Sequence, residues 1–425
     1  MRENPRSTVA YPSNVLGSAR LLLGRGQYSR IKSVTITTQR CNNSALFCAA
    51  AGATIGAAEG QTSLSGEDSS GIQALSWKIK TSGDTASRWE RGFGQERIGL
   101  TMRKLKLAFI GCGGIASWHL GHLMGFGDVE FVGFCDLIPE RSQAFVDKTG
   151  MGKSYTCFTQ MLDETEPEAV YICVPPACHG EIEDAVISRG IHFLVEKPMA
   201  LSMELADSIC DKAQKAGLIT AVGFQDRYLG IIQTARDFLK DRKLALVSGA
   251  WVGGIPGVPW WPQYATSGGQ IVEQNIHLFD MLRYVVGEPA KVYCAGRRGL
   301  VSREGYDLHD CSSAVVTFQN GVIANVFTGC YFDGAPAFKN GLHFYCTDSE
   351  VDYVLRNSVT TITADGSATV KNESDHGILE DRTFVNAVKT NNPSLIRSPY
   401  ADALKTLAFV LACNESMATG KEVLL

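Results

Sequence analysis

The sequence predicts an α/β protein whose first globular domain is a doubly wound parallel sheet, and three observations point to this class. Short apolar runs recur along the chain as buried strands do, at residues 105–110, 129–135, 169–174 and 191–195. Helical segments separate them, for example residues 182–189 and 203–216. A glycine-rich turn directly follows the first run. Regular alternation of strand and helix implies parallel strands joined by helical crossovers.

Composition narrows the class of protein and of partner. Of the 425 residues, 45% are hydrophobic and 20% are charged, as in soluble globular proteins. A formal net charge of -4 gives no reason to expect nucleic acid, whose binders usually carry a basic surface. The apolar run at residues 45–58 is too short to cross a bilayer, and we expect no membrane partner.

Thirteen cysteines are many, but their placement argues against a disulfide scaffold. Cys112, Cys135 and Cys173 lie in or beside predicted buried strands, where a thiol behaves as a small hydrophobe. No Cys-x-x-Cys pair or Cys/His cluster has zinc-site spacing, so we expect no metal site. The composition suits a reducing cytosol, and we expect a cytoplasmic protein.

Residues 1–101 differ from the rest of the chain and are left out of the predicted fold. Their first 58 residues hold one acidic side chain, Glu3, and show no sustained helical or strand periodicity. Three interpretations stay open: a disordered tail, an export or organelle-targeting segment, or a chain whose working start is Met102. The last is favoured by residues 102–106, which run directly into the first strand.

The glycine-rich turn has the form G-x-G-x-x-A and consists of Gly111, Cys112, Gly113, Gly114, Ile115 and Ala116. In such a turn the first glycine permits a tight bend, and the second lets the backbone approach a pyrophosphate. The final small residue lets the following helix pack on the strand, so that the helix N-terminus faces the anion. The turn therefore predicts a dinucleotide site.

Asp136 ends the second predicted strand, 25 residues after Gly111. An acidic side chain at this place accepts hydrogen bonds from the adenosine ribose hydroxyls and repels a 2′-phosphate, which favours NAD over NADP. Arg141 lies close enough in sequence to weaken that preference, so NADP stays open. The alternative is that Asp136 is only a turn residue.

Lys197 follows the fourth predicted strand and lies between Glu196 and Pro198. In open α/β sheets ligands bind beyond the carboxyl ends of the strands, and a following proline favours an extended backbone. An ammonium there can hydrogen-bond a substrate hydroxyl and stabilise negative charge on its oxygen. The alternative is a solvated lysine in a loop.

A helical segment is predicted over residues 267–287, and its mostly apolar circumference indicates a buried helix. Glu273 and His277 are four residues apart on it, and buried ionisable groups need partners or a cleft. We expect His277 to act as general base and Glu273 to orient its ring, the alternative being a structural Glu–His contact. In the preceding loop, Trp260 and Trp261 could stack on a sugar, close the cleft or belong to the core.

Together these residues resemble the Gfo/Idh/MocA family, named for glucose–fructose oxidoreductase and inositol dehydrogenase. The resemblance covers residues 103–425 and depends on the order and spacing of several motifs. These are GCGGIA at 111–116, Val174-Pro175-Pro176 with His179 after it, Glu196-Lys197-Pro198, Gly223-Phe224 with Arg227-Tyr228, SGGQIVEQNIHLFD at 267–280, and the C-terminal stretch 402–425.

The resemblance implies a Rossmann domain over residues 102–222 and a substrate-binding α+β domain over 223–425. The second domain would be built on a large open, mostly antiparallel sheet, with its last helix, 400–418, packing back. The free face of that sheet is implied to form a homodimer or homotetramer. Independently of the resemblance, Asn320-Gly321 between two alternating apolar segments predicts a hairpin in this domain.

By similarity, Lys197 is the catalytic lysine and His277 the proton-transferring histidine. Glu273 stands where the family's sugar dehydrogenases usually have aspartate, which leaves its role open. Further cofactor contacts are implied at Val174, Pro175, Pro176, His179, Glu196 and Lys197. Substrate contacts are implied at Arg227, Trp260, Trp261, Gln274 and His277, although Arg227 also matches an arginine at the domain junction that is structural in character.

The expected function is that of an NAD(P)-dependent oxidoreductase acting on a secondary alcohol of a sugar, polyol or inositol-like substrate. Two alternatives stay open because a fold does not fix a function. An NAD-dependent glycosidase on the same fold would release a sugar without net NADH production. A non-catalytic sensor would bind the dinucleotide and a partner protein, and loss of the lysine or the histidine would favour it.

Overall fold

The computed structural model describes residues 103–332 and 339–425, together with the paired two-residue strands Arg40–Cys41 and Ser44–Ala45. The chain divides into two units, Met1–Gly99 and Leu100–Leu425, and the account below concerns the second. Apart from the two short strands, the expectations for residues 1–101 lie outside the described residues.

Six parallel strands of the described chain form the first sheet. They are β1 Leu105–Ile110, β2 Val129–Cys135, β3 Lys153–Tyr155, β4 Ala169–Ile172, β5 His192–Val195 and β6 Thr220–Val222. The intervening helices are α1 Gly114–Leu123, α2 Pro139–Thr149, α3 Phe158–Thr165, α4 Glu181–Ser188 and α5 Met203–Lys215. The strand order β3-β2-β1-β4-β5-β6 reverses between β1 and β4, and ligands of such sheets bind at that reversal. The predicted doubly wound fold is confirmed.

Nine strands of the described chain form the second sheet, in the order β14-β13-β12-β11-β7-β10-β9-β8-β15. They are β7 Leu244–Gly253, β8 Pro289–Arg297, β9 Cys311–Phe318, β10 Ile323–Cys330, β11 Gly341–Cys346, β12 Ser349–Val354, β13 Ser358–Thr363, β14 Gly366–Lys371 and β15 Val423–Leu424. Every pairing is antiparallel except β7 with β10, which confirms the predicted open sheet. The predicted hairpin joins β9 and β10, with Gly321 at a φ of 84°.

The remaining helices cover one face of this sheet and the junction with the first. They are α6 Gly230–Leu239, α7 Tyr264–Ser267, α8 Gln270–Glu273, α9 Ile276–Val286, α10 His376–Thr390 and α11 Tyr400–Thr419. Phe279 of α9 meets Phe409 of α11 edge to face, with ring centroids 5.0 Å apart. The single helix predicted over 267–287 is wrong. Gly268 and Gly269 have positive φ, and a second break at 274–275 separates α8 from α9.

After completing most of the second sheet, the chain returns to the first. Phe384 of α10 packs edge to face on Tyr171 of β4, with ring centroids 5.5 Å apart, inside the core cluster that also contains Leu105 and Phe109. A division at residue 222 therefore does not separate the two cores, because α10 completes the first one. Within the described residues, no helix combines the length and apolar character that a membrane span requires.

Candidate active site

The glycine-rich turn lies at the carboxyl end of β1, where the strand order reverses. Gly111 has a φ of 86°, and a Cβ on it would lie 2.3 Å from the carbonyl oxygen of Cys173 after β4, so only glycine fits. A Cβ added at Gly113 or Gly114 would meet no atom within 4 Å. The turn is therefore closed against the neighbouring strand and open on the side where a ligand would approach.

The N-terminus of α1 is suited to an anion. Among the described residues, no side chain caps this helix and its first turn holds no acidic residue. No side chain thus competes with a pyrophosphate for the backbone N–H groups, and the helix dipole favours negative charge. Ala116 is fully buried, whereas Ile115 is exposed. The residues present fit a dinucleotide.

Asp136 directly follows β2 and its carboxylate is fixed by backbone donors. Its Oδ2 accepts a hydrogen bond from the N–H of Cys112 at 2.8 Å, and its Oδ1 accepts one from the N–H of Ile138 at 2.9 Å. The guanidinium of Arg141 is exposed and lies 3.9 Å from Oδ1. An ionised carboxylate held beside the glycine turn fits the ribose hydroxyls of NAD.

The segment after β4 borders the same cleft. Val174 lies against Gly111, and Pro175 leads into the short 3-10 turn Pro176–Cys178. His179 is buried, and its Nδ1 lies 2.6 Å from Oε1 of Glu183 in α4. The segment is thus held from behind while it faces the turn that would hold the pyrophosphate.

The carboxylate of Glu196 is engaged by protein groups. It is buried, and its Oε1 lies 2.9 Å from Nε2 of His119 in α1. Its Oε2 accepts a hydrogen bond from the backbone N–H of Lys197 at 3.2 Å. Both carboxylate oxygens thus have protein partners, and the predicted cofactor contact of Glu196 stays a prediction.

Lys197 extends from the end of β5 toward the second domain. Its Nζ donates to Oε1 and to the backbone oxygen of Glu273, both at 2.9 Å. The other carboxylate oxygen of Glu273 accepts a hydrogen bond from Nε1 of Trp261 at 2.6 Å. The side chains of Lys197 and Glu273 are 14% and 12% exposed, so the ion pair is shielded from water yet accessible from one side.

The paired tryptophans belong to the core around this ion pair and not to an open sugar platform. Trp261 is fully buried in a cluster with Leu308 and Cys330, against which Trp260 packs half-buried. Oε1 of Gln274 accepts a hydrogen bond from the thiol of Cys330. Trp261 therefore acts on the site through Glu273, and Gln274 is engaged by protein as well.

His277, near the start of α9, lies in an aromatic environment. Trp251 is nearly parallel to its ring at 6.0 Å, and Phe224 meets it edge-on at 6.2 Å. Its Nδ1 is buried and has no hydrogen-bond partner among the described residues. Burial lowers the pKa of His277 well below its ordinary value, and the charges of Lys197 and Arg356 act in the same direction, as does His376. His277 is thus a neutral imidazole.

The predicted contact between Glu273 and His277 is not present. Four-residue spacing brings side chains together only on a continuous helix, and here α8 ends at Glu273 before α9 begins at Ile276. The carboxylate turns instead to Lys197. The two ionisable groups that the sequence assigned to one helix face therefore act separately.

Arg227 is not available to a substrate. Its Nε and Nη2 donate to the two oxygens of Asp280 at 2.8 and 2.6 Å, and its Nη1 donates to Asp402 at 2.6 Å. The guanidinium carbon also lies 4.8 Å from the ring centroid of Tyr284. With the side chain buried and its donors engaged, Arg227 stabilises the junction, which corrects its predicted place among the substrate contacts.

Sequence reasoning missed two residues beside His277. Trp251 lies on β7, and Arg356 follows β12 in a turn that the sequence does not mark. The guanidinium carbon of Arg356 is 5.6 Å from the Trp251 ring centroid, and its Nε donates to Asp226 at 2.6 Å. Only the pairing of distant strands brings these groups to the site, so no local motif could have revealed them.

Comparison with known proteins agrees with this geometry. Residues 105–224 match the oxidoreductase family with an NAD-binding Rossmann fold, which confirms NAD as the expected cofactor, and residues 243–352 match the GFO/IDH/MocA C-terminal domain. D-Glucoside 3-dehydrogenase of Escherichia coli (strain K12) is 29% identical over 198 residues, or 45% of this chain and 56% of that protein. Myo-inositol 2-dehydrogenase of Thermotoga maritima is 25% identical over 222 residues, or 52% of this chain and 66% of that protein.

These alignments span between about half and two thirds of the relatives' length. Among solved structures, levoglucosan dehydrogenase in complex with NADH and levoglucosan superposes with a TM-score of 0.68 at 19% identity, covering 76% of this chain and 99% of that one. At this identity the likeness shows a common fold. The two family matches together cover more than half of the sequence, and this chain belongs to the Gfo/Idh/MocA oxidoreductase family.

Proposed function

We propose that this protein is an NAD-dependent dehydrogenase that reversibly oxidises a secondary alcohol of a sugar, polyol or inositol-like substrate. The observation that carries the proposal is a lysine ammonium held at the carboxyl end of the parallel sheet, whose charge acts on the buried imidazole of His277 and, with burial, keeps it neutral. Relatives named D-glucoside 3-dehydrogenase and myo-inositol 2-dehydrogenase support this substrate class.

The residues of the site divide the work of oxidation between them. When bound, the nicotinamide supplies the acceptor for the carbinol hydrogen and its electron pair. Lys197 donates a hydrogen bond to the substrate oxygen and stabilises the negative charge that develops there. His277, being neutral, accepts the hydroxyl proton. Glu273 holds the ammonium, and Trp261 holds Glu273, so the donor is oriented before substrate arrives.

We expect Lys197→Ala to lower kcat by about 10²- to 10³-fold, because it removes a donor aimed at the reacting oxygen. NADH binding should be unchanged, since the substituted amine is not part of the glycine-rich turn at residues 111–116. The assay follows NADH absorbance over a panel of sugars, inositols and their keto forms. Lys215→Ala, an exposed lysine at the end of α5, is the matched control.

With a glycoside added to that panel, two outcomes would contradict the proposal. Release of a sugar from a glycoside without net NADH production would indicate the glycosidase. Tight NADH binding by the wild type with no turnover of any substrate would indicate the sensor. Equal loss of binding and turnover in Lys197→Ala would show that the lysine is structural.

The pH profile tests the protonation state of His277. The imidazole must be neutral to accept a proton, and its pKa is lowered from the ordinary value of 6.5. We therefore expect kcat/KM for alcohol oxidation to stay level as pH falls through 6.5 and to decline only at lower pH. His277→Asn should remove this acid limb together with most activity. An acid limb at or above pH 6.5 would contradict the assignment.

The substitution Gly113→Val tests whether the glycine-rich turn holds the pyrophosphate. A Cβ there meets no protein atom within 4 Å, so we expect the fold to be kept while the space for the pyrophosphate is filled. We expect NADH affinity to fall by about tenfold or more, equivalent to about 1.4 kcal/mol, as measured by calorimetry. Gly121→Ala, on the exposed face of the same helix, should leave affinity unchanged. Unaltered affinity in Gly113→Val would place the dinucleotide elsewhere.

We also propose that the open face of the nine-stranded sheet joins copies of this chain. The face presents adjacent exposed apolar side chains: Tyr293, Val315, Ile323, Phe327, Leu246 and Tyr345. Register places Leu246 beside both Ile323 and Tyr345, so the patch is continuous across β10, β7 and β11. A contiguous apolar surface of this kind marks an interaction site.

Phe327→Asp should therefore convert a dimer or tetramer into smaller species, because it buries an unpaired charge in the interface. Light scattering after size-exclusion chromatography gives the mass. Met124→Asp, which places the same charge on an exposed apolar position of the first domain, should leave the mass unchanged. A monomeric wild type would refute this assembly.

A reducing, cytoplasmic location completes the proposal. All eleven cysteines in residues 103–332 and 339–425 are free thiols, and seven of them are buried. Thiols stay reduced in the cytosol, so the free cysteines of this chain are consistent with that compartment.

A further inference from the structure

A buried hydrogen-bond network lies behind the catalytic lysine, on the side away from Glu273. His119 of α1 is fully buried, with Nδ1 2.7 Å from Oδ1 of Asp381 in α10 and Nε2 2.9 Å from Oε1 of Glu196. Ionised carboxylates only accept hydrogen bonds, so a ring with one at each nitrogen donates from both and is an imidazolium. The ring thus connects α10, which carries Asp381, with Glu196 at the end of β5, although these two residues are far apart in sequence.

Each of the two carboxylates has further partners besides His119. Asp381 also accepts from the hydroxyl of Tyr171 at 3.0 Å and lies 2.8 Å from Nδ1 of His122. Glu196 reaches the backbone N–H of Lys197, and a Cβ at Gly223 would lie only 2.6 Å from its Oε1. The absence of a side chain at Gly223 therefore makes the slot in which the Glu196 carboxylate lies.

The charges are consistent with this arrangement. Burial alone would lower the pKa of His119, but Asp381 and Glu196 outweigh it and raise the pKa well above the ordinary value. Burial likewise tends to raise the pKa of Asp381, yet His119 and His122 lower it. Glu380 is also fully buried, and burial, together with the nearby carboxylates of Glu196 and Asp381, raises its pKa well above the ordinary value.

The side-chain types would also suit a metal, but the distances do not. Two ligand atoms of a tetrahedral zinc ion lie about 3.4 Å apart, given metal–ligand distances near 2.1 Å. Here the nitrogen–oxygen distances to Asp381 are 2.7 and 2.8 Å, which are those of charge-assisted hydrogen bonds. These distances fit a shared proton in each contact and are too short for two ligands of one zinc ion.

We propose that His119, held by Asp381, is a positioning residue that sets the direction of Lys197 by orienting Glu196. Lys197 is then fixed at both ends, with its backbone N–H on Glu196 and its ammonium on Glu273. The inference rests on the proposed function for the catalytic meaning of Lys197, but the positioning itself is a property of the fold. It also gives α10, which comes late in the chain, a part in the site.

Kinetics of Asp381→Asn give the first test. The amide has only one accepting atom and no negative charge to stabilise the imidazolium, so we expect kcat to fall by about tenfold, with NADH affinity close to wild type. His122→Asn is the matched control, because it removes another partner of Asp381 but leaves the connection from Asp381 to Glu196. It should keep the wild-type kcat. His119→Asn serves as the second variant if Asp381→Asn does not fold.

A second measurement does not depend on turnover. Labelling of Lys197 by an amine-reactive reagent, followed by mass spectrometry as a function of pH, reports how firmly its ammonium is held. We expect Asp381→Asn and His119→Asn to label faster than wild type at a given pH, and His122→Asn to match wild type. Equal kcat and equal labelling in all variants would overturn the positioning role. Altered labelling in a protein without any dehydrogenase activity would instead retain the positioning role and refute the proposed function.

Discussion

A lysine ammonium that is mostly shielded from water must be paired, and here its partner comes from a separate part of the fold. Lys197 extends from the parallel sheet, whereas Glu273 ends a short helix beside the antiparallel sheet. Breaking such a pair would leave an uncompensated charge in a place of low dielectric, at a cost of about 3–5 kcal/mol. The pair therefore fixes the distance between the end of β5 and the helix that leads to His277.

The need of a buried charge for a partner also governs the rest of the junction between the two sheets. Arg227 is buried against Asp280 and Asp402, and Asp381 is buried against His119. None of these groups can tolerate separation, so charges that hold one geometry add to the apolar core that the two sheets share. Pairs of this kind are weak evidence for stability but can give a unique arrangement, which is what a site assembled from distant elements requires.

The sequence predicted those features that depend on local pattern. The bounds of β1 and β2 followed from apolar runs, and the cradle followed from glycines whose spacing has a direct steric meaning. The sequence did not predict the features that depend on a helix break or on the pairing of distant strands. The three-residue strand β3 is too short to show a pattern, and the gap between α8 and α9 turned Glu273 from His277 to Lys197. Arg356 reaches the site only because β12 pairs with β11.

A neutral imidazole close to an ammonium has consequences for both directions of the reaction. The positive charge of Lys197, added to burial, keeps His277 unprotonated and ready to accept a proton, but it also makes the imidazole a weaker base. The lower basicity of His277 is offset in the same site, because the ammonium stabilises the alkoxide that forms when the alcohol loses its proton. In reverse, an imidazolium with a lowered pKa is a strong acid toward a carbonyl oxygen. In the dehydrogenase reaction proposed above, the same two groups would therefore serve the reduction of a ketone as well as the oxidation of an alcohol.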